Sequence, residues 1–349
     1  MKIQVNARNR AYSFEANEKE QILFSGLRNG LDLPYECSTG TCGTCKAKLI
    51  DGKIYDPWPE APGHKYLKRE QGEFLMCQCM ARTDITMEVG NFVYSTDPGA
   101  CLPDSFFGVI RRAKMLTHDV IFLEVEADKP QDFDAGQFMG LAIPGISGYR
   151  GYSMVNFERR TKKLEFVIKK KPGGGFSEWL FNQDNSIEGT AVSLVGPVGH
   201  ATFFPGLAKN VLCIAGGSGI AGMMSILSRG LQERYFDQYK GHVFFGVRTV
   251  KDAFFLDELT QFKKAFADSL RVVVALSDED VSASTKQRYP ALEFDKGFVH
   301  EVAARHMKGK CQNVRAYLAG PPPAVDAAIR NLIVEAKLTT DNIVYDKFS

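Results

Sequence analysis

The spacing of apolar and polar positions changes twice along the chain. Residues 2–7 and 11–16 alternate and predict two strands around a turn at Arg8-Asn9-Arg10. Asn17 and Glu20 have the spacing of a capping box. Ile22, Leu23 and Leu27 then predict a helix to about Gly30, a residue suited to the left-handed position after a helix. Lys46–Ile50 and Asp84–Val89 read as further strands, and Asp56 to Gly63 as a Pro-rich loop. From about 105 to 205 strands follow one another: Gly108–Met115, Val120–Glu126, Phe138–Ile143, Leu164–Lys169 and Ala191–Leu194. Turn residues separate them, which predicts an antiparallel barrel. From about 209 the period alternates. Apolar strands at Asn210–Ala215, His242–Val247, Arg271–Ala275 and Val314–Leu318 are interleaved with helical segments at about 223–230, 255–267, 297–307 and 322–336. That order predicts a doubly wound α/β parallel sheet, which holds ligands at the C-terminal ends of its strands.

These changes divide 349 residues into several domains, as a chain too long for a single core requires. The expected boundaries are 1–93, a linker at 94–104 containing Asp97-Pro98-Gly99, 105–207 and 208–349. Composition adds exclusions. With a net charge of +2, nothing favours nucleic acid or an anionic membrane surface. No apolar run approaches the ~20 residues that span a bilayer. The start, Met1 to Asn6, has no signal-peptide apolar core. The chain is expected to be a cytoplasmic monomer, and its eight cysteines suit a reducing compartment.

Four of those cysteines carry the sharpest chemical signal. Cys37, Cys42 and Cys45 stand in C-x4-C-x2-C spacing, and Cys77 follows after 31 residues (46–76). This is the plant-type [2Fe–2S] pattern, in which soft thiolates ligate two bridged irons. The small residues Ser38, Gly40, Thr41, Gly43 and Thr44 let the loop fold tightly and aim backbone N–H groups at the sulfurs. A zinc site would need a second C-x2-C or an H-x3-H, and neither is present. A disulfide framework would need an oxidising compartment and a small domain. Cys79 competes with Cys77 for the fourth position, and the L-x-C-Q setting favours Cys77. Cys79, Cys101, Cys213 and Cys311 carry no pairing signal. Two strands, a helix, a cysteine loop and more strands are the order of a β-grasp [2Fe–2S] ferredoxin domain.

The middle segment contains Arg150-Gly151-Tyr152-Ser153, which can offer a guanidinium to a pyrophosphate, a flat ring to an isoalloxazine and a hydroxyl to a flavin nitrogen. Gly173-Gly174-Gly175-Phe176-Ser177 precedes a helical run and can cradle phosphate. Each motif alone occurs by chance; together, in a strand-rich segment, they point to a β-barrel flavin domain. In the last segment a strand ends in Gly216-Gly217-Ser218-Gly219 and opens a helix, as a dinucleotide pyrophosphate requires, although the turn departs from G-x-G-x-x-G.

With these motifs in order, the chain resembles the ferredoxin–NAD(P)+ reductase superfamily, and more closely the reductase components of bacterial multicomponent oxygenases. Pro34-Tyr35-Glu36-Cys37, Trp58 to Gly63, Cys77-Gln78-Cys79, Gly297 to His300 and Tyr345 to Phe348 are similar to segments of toluene monooxygenase and carbazole dioxygenase reductases. The resemblance implies that Arg150, Gly151, Tyr152, Ser153, Ile168, Lys169, Gly174, Gly175, Phe176 and Ser177 hold FAD, with Phe348 near the flavin ring. It also implies that Gly217, Ser218, Gly219, Arg248, Asp278, Gly320 and Pro321 hold the nicotinamide dinucleotide. NADPH-specific relatives carry Ser-Arg where this chain has Ser277-Asp278-Glu279, and carboxylates repel a 2′-phosphate, so NADH is expected. Two positions depart from the family. Ala319 stands for the Cys of C-G-P, and Gly222 for the Pro of Ala-Pro.

The implied path runs from NADH to FAD as a hydride and from FAD singly to the cluster. The acceptor is an oxygenase hydroxylase component, of a diiron monooxygenase or a Rieske dioxygenase, or its Rieske ferredoxin. No acid–base dyad is needed. His118, His200 and His300 are expected at the surface or in packing. The competing readings are a flavin and iron–sulfur redox sensor without sustained turnover, and a zinc-stapled binding module fused to a flavin enzyme.

Overall fold

A computed structural model describes residues 1–182 and 187–348. The first unit is a mixed sheet with a helix across it. Strands β1 (Lys2–Ala7), β2 (Ala11–Glu15), β3 (Lys46–Asp51), β5 (Glu73–Leu75) and β7 (Ile85–Val89) take the order β2-β1-β7-β3-β5, and β4 (Ile54–Tyr55) pairs with β6 (Met80–Ala81). The parallel pairing of β1 with β7 brings the two ends of the unit together, as a β-grasp requires. Helix α1 (Ile22–Arg28) buries Ile22, Leu23, Phe24 and Leu27 against the sheet. Gly30 ends it at φ 76°. The expected capping box does not form, because the cap position falls at Gln21. Asn17 instead bonds the Glu20 carboxylate, which Arg28 grips with two hydrogen bonds of 2.8 Å. Residues 94–96, expected to open the linker, still bond to this unit through Asp32 N–H to Tyr94 O and Thr96 N–H to Gly30 O.

The second unit has strands β8 (Asp104–Met115), β9 (Val120–Gln131), β10 (Phe138–Ala142), β11 (Arg150–Ser153), β12 (Thr161–Lys169) and β13 (Ala191–Val198), in the order β11-β10-β13-β8-β9-β12. All its pairings are antiparallel, and a bridge between Met154 and Phe166 joins the two edges into a barrel. The Arg150–Ser153 motif is itself a strand. Its polar residues masked the short β pairing. Helix α2 (Gly175–Phe181) follows the Gly-rich turn.

The third unit is a parallel sheet of β14 (Asn210–Gly216), β15 (Gly241–Val247), β16 (Leu270–Leu276), β17 (Glu293–Lys296), β18 (Val314–Gly320) and β19 (Ile343–Lys347), in the order β17-β16-β15-β14-β18-β19. The order reverses between β14 and β18, which opens a ligand crevice at their C-terminal ends. Helices α3 (Ile220–Gln232), α4 (Leu256–Ala265), α5 (Ala283–Arg288), α6 (Val299–Met307) and α7 (Pro322–Val334) flank it. The edge strands β17 and β19 were not evident in the sequence, because edge positions are half polar. Phe138, Val195 and Val198 of the barrel share a core with the first unit, and Phe133, Phe157 and Phe203 share one with α3. Asp134 of the barrel bonds Arg159 at 2.6 Å and Arg229 of α3 at 2.9 Å, so one nearly buried carboxylate ties the second unit to the third.

Candidate redox site

The cysteine loop brings Cys45 beside Cys77. Cys45 Sγ and Cys77 Sγ lie 3.1 Å apart, too far for a disulfide and close enough to serve one inorganic core. Thr39, Thr41 and Cys42 each donate a backbone N–H to Cys37 Sγ at 3.4 Å, and Thr44 donates to Cys42 Sγ at 3.5 Å. The Gln78 amide reaches Cys77 Sγ at 3.5 Å. The Cys42 thiol and these N–H groups hold the Cys37 thiol well below its ordinary range. Donors aimed at sulfur suit a thiolate-ligated cluster and not four inert thiols. Gly40 is required here: at φ 81°, a Cβ would sit 2.9 Å from the Gln78 side chain. The Cys79 carbonyl accepts the Ile22 N–H at the start of α1, and burial pushes its thiol up.

Beside the loop lies a cavity of about 850 Å³, lined by all three units. The first contributes Cys37, Thr39, Thr41, Trp58 and Pro62. The second contributes Arg150, Gly151, Tyr152, Ser153, Val167, Lys169 and Lys170 to Ser177. The third contributes Gly216 to Gly219, Arg248, Ser277, Gly320, Pro321 and Phe348. Of the residues expected at the cofactors, Ile168 and Asp278 are absent from this wall. Ile168 is fully buried in the barrel core between Val167 and Lys169, because strand alternation turns it inward. Asp278 is exposed and accepts the Ser277 hydroxyl at 2.6 Å, while Glu279 accepts the Val250 N–H.

The charge of the cavity wall is mostly positive, with Asp252 its one carboxylate among the described residues. Arg150, Lys170, Lys171 and Arg248 line it and make no ion pair with any carboxylate among the described residues. Arg150 spends part of its donor set on Ser147 O and Tyr149 O, at 3.2 and 3.0 Å, and lies over the Trp58 ring at 4.4 Å. Burial lowers its affinity for a proton, so an anion beside it is favoured. Lys169 is the exception, paired with Asp119 at 3.2 Å. The Tyr152 ring leans on Phe176 at 5.6 Å, and burial pushes its hydroxyl up. The Ser177 hydroxyl accepts the Lys171 N–H at 3.0 Å and so shapes the glycine loop from inside. Cations without an ion-pair partner, an aromatic wall and a large cavity fit FAD.

At the crevice, Gly217 takes φ 53°, and a Cβ on Gly219 would lie 2.3 Å from Ala319 O. Only glycine lets the turn approach β18 and present the first N–H groups of α3 to a pyrophosphate. Phe348 donates its N–H to Gly320 O at 3.1 Å and packs edge-on against Phe138 at 5.3 Å. Trp58 was noticed in the sequence only as part of a similar segment, and no motif flags a residue so far from Arg150 in the chain. The His118, Asp119 and Asp252 side chains also cluster, but Lys169 neutralises Asp119.

Three families match in sequence. Residues 5–82 match the 2Fe-2S iron-sulfur cluster binding domain, 108–203 the oxidoreductase FAD-binding domain and 213–330 the oxidoreductase NAD-binding domain. The chain is 33% identical to the ferredoxin–NAD(P)(+) reductase CarAd of Metapseudomonas resinovorans over 94% of each chain. It is 31% identical to the xylene/toluene monooxygenase electron transfer component XylA of Pseudomonas putida, over 94% of this chain and 89% of that protein. Among solved structures, the ferredoxin reductase in carbazole 1,9a-dioxygenase superposes with a TM-score of 0.79 at 31% identity, over 100% of this chain and 99% of the other. The chain belongs to the family of ferredoxin–NAD(P)+ reductases and oxygenase reductase components. It is an oxidoreductase whose domains carry electrons from NAD(P)H through FAD and a [2Fe–2S] cluster. No helix among the described residues is long and apolar enough to cross a membrane.

Proposed function

We propose that this chain is the NADH-dependent, cytoplasmic, monomeric reductase of a bacterial oxygenase, delivering electrons to a diiron or Rieske hydroxylase component or to its ferredoxin. The observation that carries the reading is one contact. A Cβ on Gly151 of the flavin strand would lie 3.5 Å from Cys37 O, so the cysteine loop abuts the strand that lines the cavity. FAD, when bound, takes up two electrons as a hydride and releases them singly to the cluster. Cys37, Cys42, Cys45 and Cys77 hold the cluster. Arg150, Lys170 and Lys171 bind the flavin pyrophosphate, Tyr152 and Ser153 meet the ring system, and Phe348 covers it. The Gly217–Gly219 turn and Arg248 hold the dinucleotide, while Gly320 and Pro321 form the floor beneath it. The exposed Asp278 opposes a 2′-phosphate at the rim.

An anaerobic titration of the purified protein with NADH, and in parallel with NADPH, followed by absorbance and EPR, tests this. NADH is expected to bleach the flavin and cluster bands together and to bring up a reduced [2Fe–2S] signal, with NADPH much weaker. Flavin bleaching without a cluster signal overturns the path. Failure of NADH to sustain cytochrome c reduction would favour a sensor.

A further inference from the structure

His200, expected at the surface or in packing, sits where all three units meet. Tyr35, two residues before Cys37, is nearly buried, and its hydroxyl accepts the Gly199 N–H at 3.0 Å. The His200 ring stacks on the Tyr35 ring at 4.4 Å and bonds Tyr35 O through Nε2 at 3.1 Å. From the other side, Asp346 of β19 accepts the N–H groups of His200 and Ala201 at 2.9 and 3.2 Å. Asp346 is 3% exposed. A buried carboxylate spent on two backbone amides costs desolvation, and its gain is a fixed position.

We infer that Tyr35 and Asp346, joined through the Gly199–Ala201 turn, form a positioning node that sets the distance between the flavin and the cluster and thereby the rate of the step between them. The turn is the one element both residues hold. Two residues on from Tyr35 is Cys37, and two residues on from Asp346 is Phe348; both line the cavity, on opposite units. Gly199 takes φ 130°, and a Cβ there would lie 3.1 Å from Asp346 Oδ2, so the turn and the carboxylate approach as closely as backbone allows. Neither Tyr35 nor Asp346 lines the cavity, so each acts through its neighbour. The inference rests on the electron path proposed above.

The test uses full-length holoprotein carrying Tyr35→Phe, Asp346→Asn or Asp346→Ala. Tyr35→Phe keeps the ring and removes only the hydroxyl, so folding is little burdened. Stopped-flow mixing with NADH separates flavin bleaching from cluster reduction. Flavin bleaching should stay within about twofold of the parent, while cluster reduction slows several-fold beyond that, because single-electron transfer falls off exponentially with added distance. Asp346→Asn, which keeps one acceptor, should fall between the parent and Asp346→Ala. Independently of turnover, backbone amides 199–201 should exchange with deuterium faster in the apoprotein variants. Equal slowing of both phases, or cluster reduction unchanged in all three variants, overturns the inference. A parent that shows no cluster reduction at all overturns the electron path instead.

Discussion

The Arg150 guanidinium lies 4.4 Å over the ring of Trp58, so a cation on the flavin strand is seated on an aromatic side chain of the ferredoxin unit. Gly148 makes room for it, since a Cβ there would meet the Trp58 ring at 2.2 Å. The loop bearing Trp58 is tied to the cysteine loop by the Gly63 N–H to Gly40 O bond of 2.7 Å. A cation proposed to hold FAD is therefore seated on a unit that carries none of the flavin motifs. Trp58→Ala is expected to weaken FAD binding by about fivefold, the value of a cation–π contact near 1 kcal/mol. Fluorescence titration of the flavin-free protein measures it. Affinity equal to the parent would show that the stacking leaves Arg150 unaffected.

The two candidate fourth ligands have different contacts. Cys77 Sγ lies 3.1 Å from Cys45 Sγ, whereas Cys79 is bound into the start of α1. Cys77→Ser should abolish the reduced-cluster EPR signal and most of the visible iron–sulfur absorbance. Cys79→Ser should keep both and lower the thermal midpoint slightly, for a hydroxyl placed in an apolar site. Loss of the signal in Cys79→Ser alone would reverse the assignment.

Ser277 lines the cavity wall and Asp278 is absent from it, both just past the C-terminal end of β16. Asp278→Arg removes a repulsive charge and supplies a guanidinium within reach of a 2′-phosphate. The ratio of kcat/KM for NADPH over NADH should rise by about tenfold, the equivalent of roughly 1.4 kcal/mol. An unchanged ratio would mean that Arg248 governs the choice.

Glu20 has a pH signature. Burial pushes its carboxyl up, but the two Arg28 hydrogen bonds and the Arg28 charge outweigh burial and leave it below its ordinary value. A depressed carboxyl stabilises the fold above its unfolded pKa and loses that contribution as pH falls through the folded value. Glu20→Gln should therefore cost roughly 1 kcal/mol at pH 7. The gap from the parent should close below about pH 4. Thermal midpoints measured across pH check it, and a pH-independent gap would assign the loss to packing.

Much of the architecture was legible in the chain. The cysteine spacing, the βα alternation after residue 209 and the glycine turn at 216–219 each reflect a local rule: ligand reach, a repeating period, or a backbone that only glycine can adopt. Elements whose periodicity is weak were missed. The Arg150–Ser153 strand is polar because it faces a ligand space, and β17 and β19 are half-polar edge strands. Alternation along β12 also turned Ile168 inward, although its neighbours Val167 and Lys169 do line the cavity.

By itself, the sequence determined which chemistry the chain carries, because ligand type and spacing along a short loop do not depend on distant residues. Only the tertiary structure decided how the three units share one cavity. Trp58 reaches Arg150, and Tyr35 and Asp346 meet at residues 199–201, across separations of 92 to 164 positions that leave no local pattern. Such contacts are set by packing of apolar faces between domains, and packing has no period to read.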